Sequence, residues 1–444
     1  MQKTFSILTL GCKVNQYESE AMTELFEKKG YLNVDFETEV SDIYIVNTCT
    51  VTNLADRKSR QFIRHAKREN PGSIVVVVGC YSQTSPEEVA EIEGVDIVIG
   101  TTERAKVVEL CEEFEKNRKQ INIVRSLKTD HEFQDIRIDK ESLMTRAYMK
   151  VQDGCNRYCT YCIIPYARGH IRSRSIKDCV REAKRLADAG YKEIILTGIH
   201  VGSYGQDLGE ERLIDLIENI ASVACIERIR LSSVEPNLIT DEFMKRALAT
   251  GKVCDHFHLS LQSGSNNILK AMNRRYSREE YIEKTKIIRK YMPYAGLTTD
   301  IIVGFPGESE DDFLDSYNLA KEVEFSKIHV FKYSKRNGTP AAEMKNQIDG
   351  NIKNKRSQIL LTLNDELMRN FALKNKDIAQ KVLFEEKMHD GNYQGYSTNY
   401  IRCSIKSDED LKNSVKNVKI VDIDGEIAKV EVIWEEDIYG LSIL

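Results

Sequence analysis

Residues 153–169 read D-G-C-N-R-Y-C-T-Y-C-I-I-P-Y-A-R-G, which places Cys155, Cys159 and Cys162 in a C-x3-C-x2-C triplet. Three thiolates are one fewer than a four-iron cluster needs. A metal centre short of one protein ligand keeps a position open for a substrate or cosubstrate, whereas a structural site is closed by four. The triplet therefore reads as a reactive 4Fe-4S site. A zinc knuckle without a visible fourth ligand and three plain buried thiols are the alternatives.

Working outward, the triplet follows an apolar run at 149–152 that opens a series of strand-like segments at 193–198, 228–234, 256–262, 297–305 and 327–333, with helical stretches between. Six such units in about 190 residues suit an incomplete barrel, since a full eight needs more chain. Upstream, 5–10, 43–47, 74–79 and 95–100 are short apolar runs, each followed by a charged periodic segment. That order implies a parallel sheet covered by helices. Downstream, a charged helix over 351–374 gives way to short alternating strands at 382–385, 393–397, 400–405, 415–422 and 427–433. The expected fold is α/β: a Rossmann-like open parallel sheet in 1–120, a polar linker over 121–143, a partial (β/α)6 TIM-type barrel in 144–375, and a small antiparallel β-barrel in 376–444.

Three more cysteines occupy one topological position. Cys12 follows the first strand in L-T-L-G-C-K-V-N, Cys49 the second in I-V-N-T-C-T-V-T, and Cys80 the third in V-V-V-V-G-C-Y-S. The carboxyl ends of parallel strands share one edge of an open sheet, where ligand crevices form. Three thiolates there suit a second cluster, again one ligand short. A lone cysteine at a strand end is usually a small apolar residue, and the remaining five (111, 179, 225, 254 and 403) read that way.

The 444 residues contain eleven cysteines, 64 Lys plus Arg and 69 Asp plus Glu. An odd cysteine count without a secretory signal argues for metal ligation or buried thiols over a disulfide framework. No run approaches the ~18 apolar residues of a membrane span, so a soluble, cytoplasmic protein is expected; a monomer is the expected state. Residues 376–444 hold 9 basic against 14 acidic side chains, leaving the last domain acidic.

The C-x3-C-x2-C run resembles the radical S-adenosylmethionine superfamily, with Tyr161 where that superfamily carries an aromatic residue beside the adenine. Further along, L-T-G-I-H (196–200), S-S-V-E-P (232–236), L-Q-S-G-S (261–265), D-I-I-V-G-F-P-G-E (300–308) and Y-S-K-R-N-G-T-P-A-A (333–342) resemble the methylthiotransferase family, whose C-terminal module is a TRAM domain. G-C-K-V-N, D-R-K-S-R-Q (56–61) and A-R-G-H-I-R-S-R (167–174) are most similar to its branch acting on N6-threonylcarbamoyladenosine in tRNA.

The resemblance implies two 4Fe-4S clusters, S-adenosylmethionine, a tRNA substrate, an external low-potential electron donor and a sulfur donor that the sequence does not identify. It makes Cys155, Cys159 and Cys162 the catalytic ligands and Cys12, Cys49 and Cys80 the ligands of the other cluster. Thr197, Gly198, Ser232, Ser233 and Glu235 follow strand ends, where a barrel's ligands bind, and are expected at the cosubstrate; ordinary turn chemistry is the alternative. Gln262, Ser263 and Asp300 are assigned to cosubstrate or substrate. Arg168, Arg172 and Arg174 are expected on RNA phosphates, with a solvated basic face as the alternative. Lys376, Lys381, Lys387 and Arg402 are a weaker local patch, and Trp434 reads as core. Other substrates in view are isopentenyladenosine in tRNA and a ribosomal-protein aspartate. An iron-sulfur carrier or redox sensor without turnover is the reading of another class.

Overall fold

The computed structural model describes residues 2–51, 53–127, 133–134 and 145–433. Its first unit is a six-stranded, wholly parallel sheet in the order β2-β1-β3-β4-β5-β6, formed by β1 (Thr4–Thr9), β2 (Leu32–Asn33), β3 (Ile43–Thr48), β4 (Ile74–Gly79), β5 (Ile97–Ile99) and β6 (Ile121–Asn122). β3 and β4 are buried along their whole length. Helices cover both faces of such strands, so they read as continuous apolar runs with no alternation. Phe5, Met22, Phe26, Val107 and Phe114 fill one side, and Tyr44, Ile63, Ala66, Tyr81 and Val89 the other. The edge strands β2 and β6 have two residues each, too few for a periodicity to register. β6 falls in the segment read as linker, so the sheet takes its first two residues; most of the remaining linker lies outside the described residues.

The second unit is the partial barrel. Its parallel strands are β7 (Arg146–Asp153), β9 (Glu193–Gly198), β10 (Arg228–Leu231), β11 (His256–His258), β12 (Gly296–Val303) and β13 (Lys327–Lys332), while β8 (Arg172–Ser173) pairs antiparallel on the outer edge of β7. Single bridges at Ile229–Val253 and Val234–Leu259 join β10 to β11 and make the six strands one curved wall. Met149, Val151, Leu196, Ile229, Phe257 and Leu297 belong to one core with Leu319 and Leu363 from the covering helices.

The third unit is a closed barrel in the order β14-β15-β16-β18-β17, built from β14 (Gln380–Lys387), β15 (Asn392–Ser397), β16 (Arg402–Lys406), β17 (Ser414–Asp424) and β18 (Ile427–Val432). Four pairings are antiparallel. The pairing of β16 with β18 is parallel, which side-chain alternation does not distinguish. Trp434 lies outside the described residues. Among the other cysteines, Cys111, Cys179, Cys254 and Cys403 are buried as expected, but Cys225 is exposed.

The turn after β15 stops the amino-terminal mouth of the partial barrel. Arg228 and Arg230, paired with buried Glu193, donate to the Ser397 carbonyl at 3.1 and 3.0 Å. Tyr400 stacks on His256 with ring centroids 4.5 Å apart and on Tyr396 at 4.9 Å. The carboxyl ends of the barrel strands are left for the cysteine loop.

Candidate active site at two cysteine triplets

The barrel triplet lies on the loop that leaves β7. Gly154 has φ +72, and an added Cβ would lie 1.8 Å from the His170 carbonyl oxygen, so only glycine allows the loop to fold back. The loop closes through Cys155 N–H to the Gly169 carbonyl at 3.0 Å and Cys162 N–H to the Cys159 carbonyl at 2.9 Å. Thr160 pins it to the barrel, bonding the Met272 and Ala271 carbonyls and accepting from Ala341 N–H. Burial pushes the Cys155 thiol up to about 11 and, with the Cys159 and Cys155 sulfurs beside it, Cys162 to about 12. Arg274 reaches in from the opposite wall and donates to the Cys159 sulfur at 3.4 Å.

The first-domain triplet is set by the sheet. Cys12, Cys49 and Cys80 end β1, β3 and β4, which are adjacent, so the parallel register brings three remote loops to one edge. Packing is tight: a Cβ on Gly11 would meet the Cys49 sulfur at 2.8 Å. Burial, with the Cys80 and Cys12 thiols nearby, raises Cys49 to about 12. Burial also raises Cys80, against the pull of Arg168, whose Nε donates to its sulfur at 3.3 Å.

Arg168 links the triplets. It sits in the helix Ile164–Arg168 just past Cys162, is fully buried, and donates to Glu18 at 2.6 Å and Asn15 at 2.7 Å as well as to Cys80. Lys150 and Arg104 also converge on Glu18, at 2.8 and 3.0 Å. Burial alone would raise the Glu18 carboxyl, but these three cations hold it down to about 2. A first-domain carboxylate is thus the hub that docks the sheet against the barrel.

Among the described residues, no three His, Cys, Asp or Glu side chains are drawn together as tightly as a single metal ion requires. The fit to clusters rests on donor chemistry. Each triplet offers three sulfurs, and burial raises the thiols of Cys49 and Cys80 in one and of Cys155 and Cys162 in the other, groups that a cationic cluster stabilises as thiolates. Each also has one arginine N–H on a sulfur, the kind of hydrogen bond that tunes cluster thiolates.

The predicted cosubstrate residues divide into groups. Glu235 is buried beside the cysteine loop, joining Arg157 at 2.6 Å, Arg274 at 3.4 Å and His200 at 3.3 Å. Burial would raise it; His200, Arg274 and Arg157 hold it at about 2. Ser232, Ser233 and Asp300 line a cavity of about 770 Å³ inside the partial barrel, which reaches Gly11 and Lys13 on either side of Cys12. Within it Asp300 pairs with His258 at 3.2 Å, beside His329. Thr197 is buried in β9, and Gly198 closes against Gln152, where a Cβ would lie 2.8 Å from the backbone oxygen. Gln262, at φ +70, bridges to β12 through Asp300 and Ile302. Ser263 is buried and bonds Ser316. Tyr161 packs on the cluster formed by Met272, Phe305 and Tyr333.

Arg168, Arg172 and Arg174, expected on RNA, are buried instead, being 0%, 2% and 3% exposed. Their charges are taken by Glu18, Asp153 and Glu182, so no phosphate reaches them. Arg402 turns into the barrel cavity and donates to Gln394 at 2.6 Å. Sequence reasoning missed Arg274, Glu18 and Lys150, because the contacts that place them at the site, Arg274 with Cys159 and Lys150 with Glu18, join elements distant in the chain.

The chain matches the Radical SAM superfamily over residues 149–320 and the Uncharacterized protein family UPF0004 over residues 4–100. It is 43% identical over 423 residues, 94% of both chains, to threonylcarbamoyladenosine tRNA methylthiotransferase MtaB of Bacillus subtilis. It is 40% identical to the protein of that name in Aquifex aeolicus, over 87% of this chain and 94% of the relative. To tRNA-2-methylthio-N(6)-dimethylallyladenosine synthase of Pelotomaculum thermopropionicum it is 36% identical, over 89% and 90%. In fold it is similar to the radical S-adenosylmethionine methyltransferase TsrM of Kitasatospora setae, with a TM-score of 0.58, 15% identity and 77% of each chain covered. Among the described residues, no helix is long and apolar enough to cross a membrane.

Proposed function

The chain belongs to the radical S-adenosylmethionine methylthiotransferases, and on that premise we propose that it methylthiolates C2 of N6-threonylcarbamoyladenosine in tRNA, using one 4Fe-4S cluster on each cysteine triplet. Membership in the superfamily implies the barrel cluster and S-adenosylmethionine. The observation that carries the second cluster is Arg168, which follows one triplet in sequence and bonds a sulfur of the other. The threonylcarbamoyl substrate is supported by the names of the relatives at 43% and 40% identity.

When bound, the clusters and S-adenosylmethionine supply an electron, a radical and a held sulfur, which replace an unreactive aromatic C–H as acid-base chemistry cannot. The chain supplies position and enclosure. Cys155, Cys159 and Cys162 hold one cluster, and Cys12, Cys49 and Cys80 the other. Arg274 and Arg168 each orient one sulfur, and Glu235 fixes Arg274 and Arg157. Ser232, Ser233 and Asp300 offer polar groups to whatever fills the cavity, and the third domain keeps water from its amino-terminal mouth. The enzyme would act as a cytoplasmic monomer fed by an external low-potential reductant.

The test is nucleoside mass spectrometry of tRNA from a strain lacking its own enzyme and complemented with this chain. The expected product is 2-methylthio-N6-threonylcarbamoyladenosine. Appearance of the 2-methylthio-dimethylallyl nucleoside alone would transfer the chain to the reading that the relative at 36% identity favours. A carrier without turnover would yield no 5′-deoxyadenosine from S-adenosylmethionine and dithionite.

A further inference from the structure

With Arg168, Arg172 and Arg174 buried and residues 376–444 carrying 14 acidic against 9 basic side chains, a polyanionic substrate has to be gripped elsewhere. The helix Asn53–Glu69 contains Arg57, Lys58, Arg60, Arg64, Lys67 and Arg68 against Asp56 and Glu69. Arg57, Gln61, Arg64 and Arg68 recur at helical spacing on one side and are exposed, while Ser59, Ile63 and Ala66 on the other side are buried against the sheet. Arg60 and Lys67 are paired with Glu88 and Asp96, and Arg68 is within 3.8 Å of Glu69. Among the described residues, Arg57, Lys58 and Arg64 have no ion-pair partner.

Arg57, Arg60, Arg64 and Arg68 line an open groove of about 710 Å³ whose one carboxylate is Glu37. Arg60–Arg64 and Arg64–Arg68 are like-charge pairs at four-residue spacing, unfavourable in an isolated helix; an anion laid along them would relieve the repulsion. The helix also starts at the site. Thr50, next to Cys49, and Asp56 in the first turn are both held by Arg336 from the segment after β13, the first at 2.6 Å. From there the helix runs about 25 Å away, at 1.5 Å per residue.

We propose that this face is the docking surface for the phosphate backbone of the RNA, with Arg57, Arg64 and Arg68 as the unspecific grip that leads a nucleotide to the triplets. The proposal rests on the tRNA reading above. It is tested by measuring binding of the reconstituted full chain to unmodified tRNA from 50 to 300 mM KCl, for the natural sequence and for Arg57→Gln/Arg64→Gln/Arg68→Gln; glutamine keeps the helix propensity. Each lost phosphate contact should flatten the log Kd against log salt slope by about 0.7–0.9. The triple variant is therefore expected to lose about 2 to 3 from the slope and to bind roughly tenfold or more weakly at the lowest salt. Lys245→Gln/Lys286→Gln, exposed on two helices that cover the partial barrel, should change neither. An unchanged slope in the triple variant, with tRNA bound and methylthiolated normally, overturns this surface and leaves the tRNA reading standing. A natural chain that binds no tRNA overturns both. Loss in the triple variant of binding to anionic phosphatidylserine vesicles, with tRNA binding intact, would assign the face to a membrane and overturn the proposal.

Discussion

Arg168, on the barrel side of the domain junction, donates from Nε to the sulfur of Cys80 on the sheet side at 3.3 Å, while its Nη1 reaches Glu18 at 2.6 Å. One guanidinium thereby bonds the Cys80 sulfur, pairs with a buried carboxylate and ties the loop after Cys162 to the sheet. The two cysteine triplets flank one buried junction.

Removing that guanidinium should therefore be costly. Arg168→Met leaves Glu18 and Asp153 buried with fewer cations, and breaking a buried ion pair on one side costs about 3–5 kcal/mol. Arg168→Lys restores the charge but not the fork, so it should recover stability more than activity. Denaturant unfolding and methylthiolation assays on both variants check this. Equal recovery of both by lysine would refute a role in orienting Cys80.

Acid should loosen this junction and the one at the amino-terminal mouth of the barrel, where Glu193 holds Arg228 and Arg230. Glu18 and Glu193 are fully buried and held at about 2, against 4.5 when unperturbed. Below 4.5 the unfolded chain takes up protons that these folded carboxylates refuse, so their stabilisation is complete above that pH and is lost as pH falls towards 2. Each contributes at most about 3 kcal/mol by linkage. Thermal unfolding should be flat above pH ~5 with respect to these groups and fall steeply below it. Glu193→Gln should lower the plateau and shallow the acid slope; an acid slope as steep as in the natural sequence would contradict this.

Two clusters imply about eight irons per chain after anaerobic reconstitution. Changing Cys155, Cys159 and Cys162 together to alanine should leave about four and abolish S-adenosylmethionine cleavage. Cys49→Ala should lose the methylthiolated nucleoside yet keep cleavage, provided spectroscopy shows the barrel cluster intact. Full product from a Cys49→Ala enzyme devoid of the first-domain cluster would end the division of labour.

Gly296→Ala tests the plug. Gly296 begins β12, and a methyl there would sit 2.1 Å from the Asn399 backbone oxygen, a clash that only separation of the two units relieves. Limited proteolysis should then cut near 375–380, at the root of the third domain, far faster than in the natural sequence. Unchanged protection would show that the turn yields without undocking.

Local pattern and spacing are legible in the linear chain. The apolar runs of β3 and β4 and the strand-helix alternation from 149 onward announce parallel sheets, because strands buried on both faces need uniform apolarity. The two triplets are legible as candidate cluster sites, because one is a fixed spacing within a single loop and the other follows three adjacent parallel strands whose register brings their ends to one edge. Which charges are free depends on how the chain packs. Arg168, Arg172 and Arg174 look like an RNA grip in a linear reading, but Arg168 meets Glu18 across the docked units while Arg172 and Arg174 meet Asp153 and Glu182 within the barrel, whereas Arg57, Arg64 and Arg68 stay exposed. Charge pairing over 150 residues of chain leaves no periodicity to read, since a buried ion pair is specified by the geometry of two surfaces and by neither segment alone.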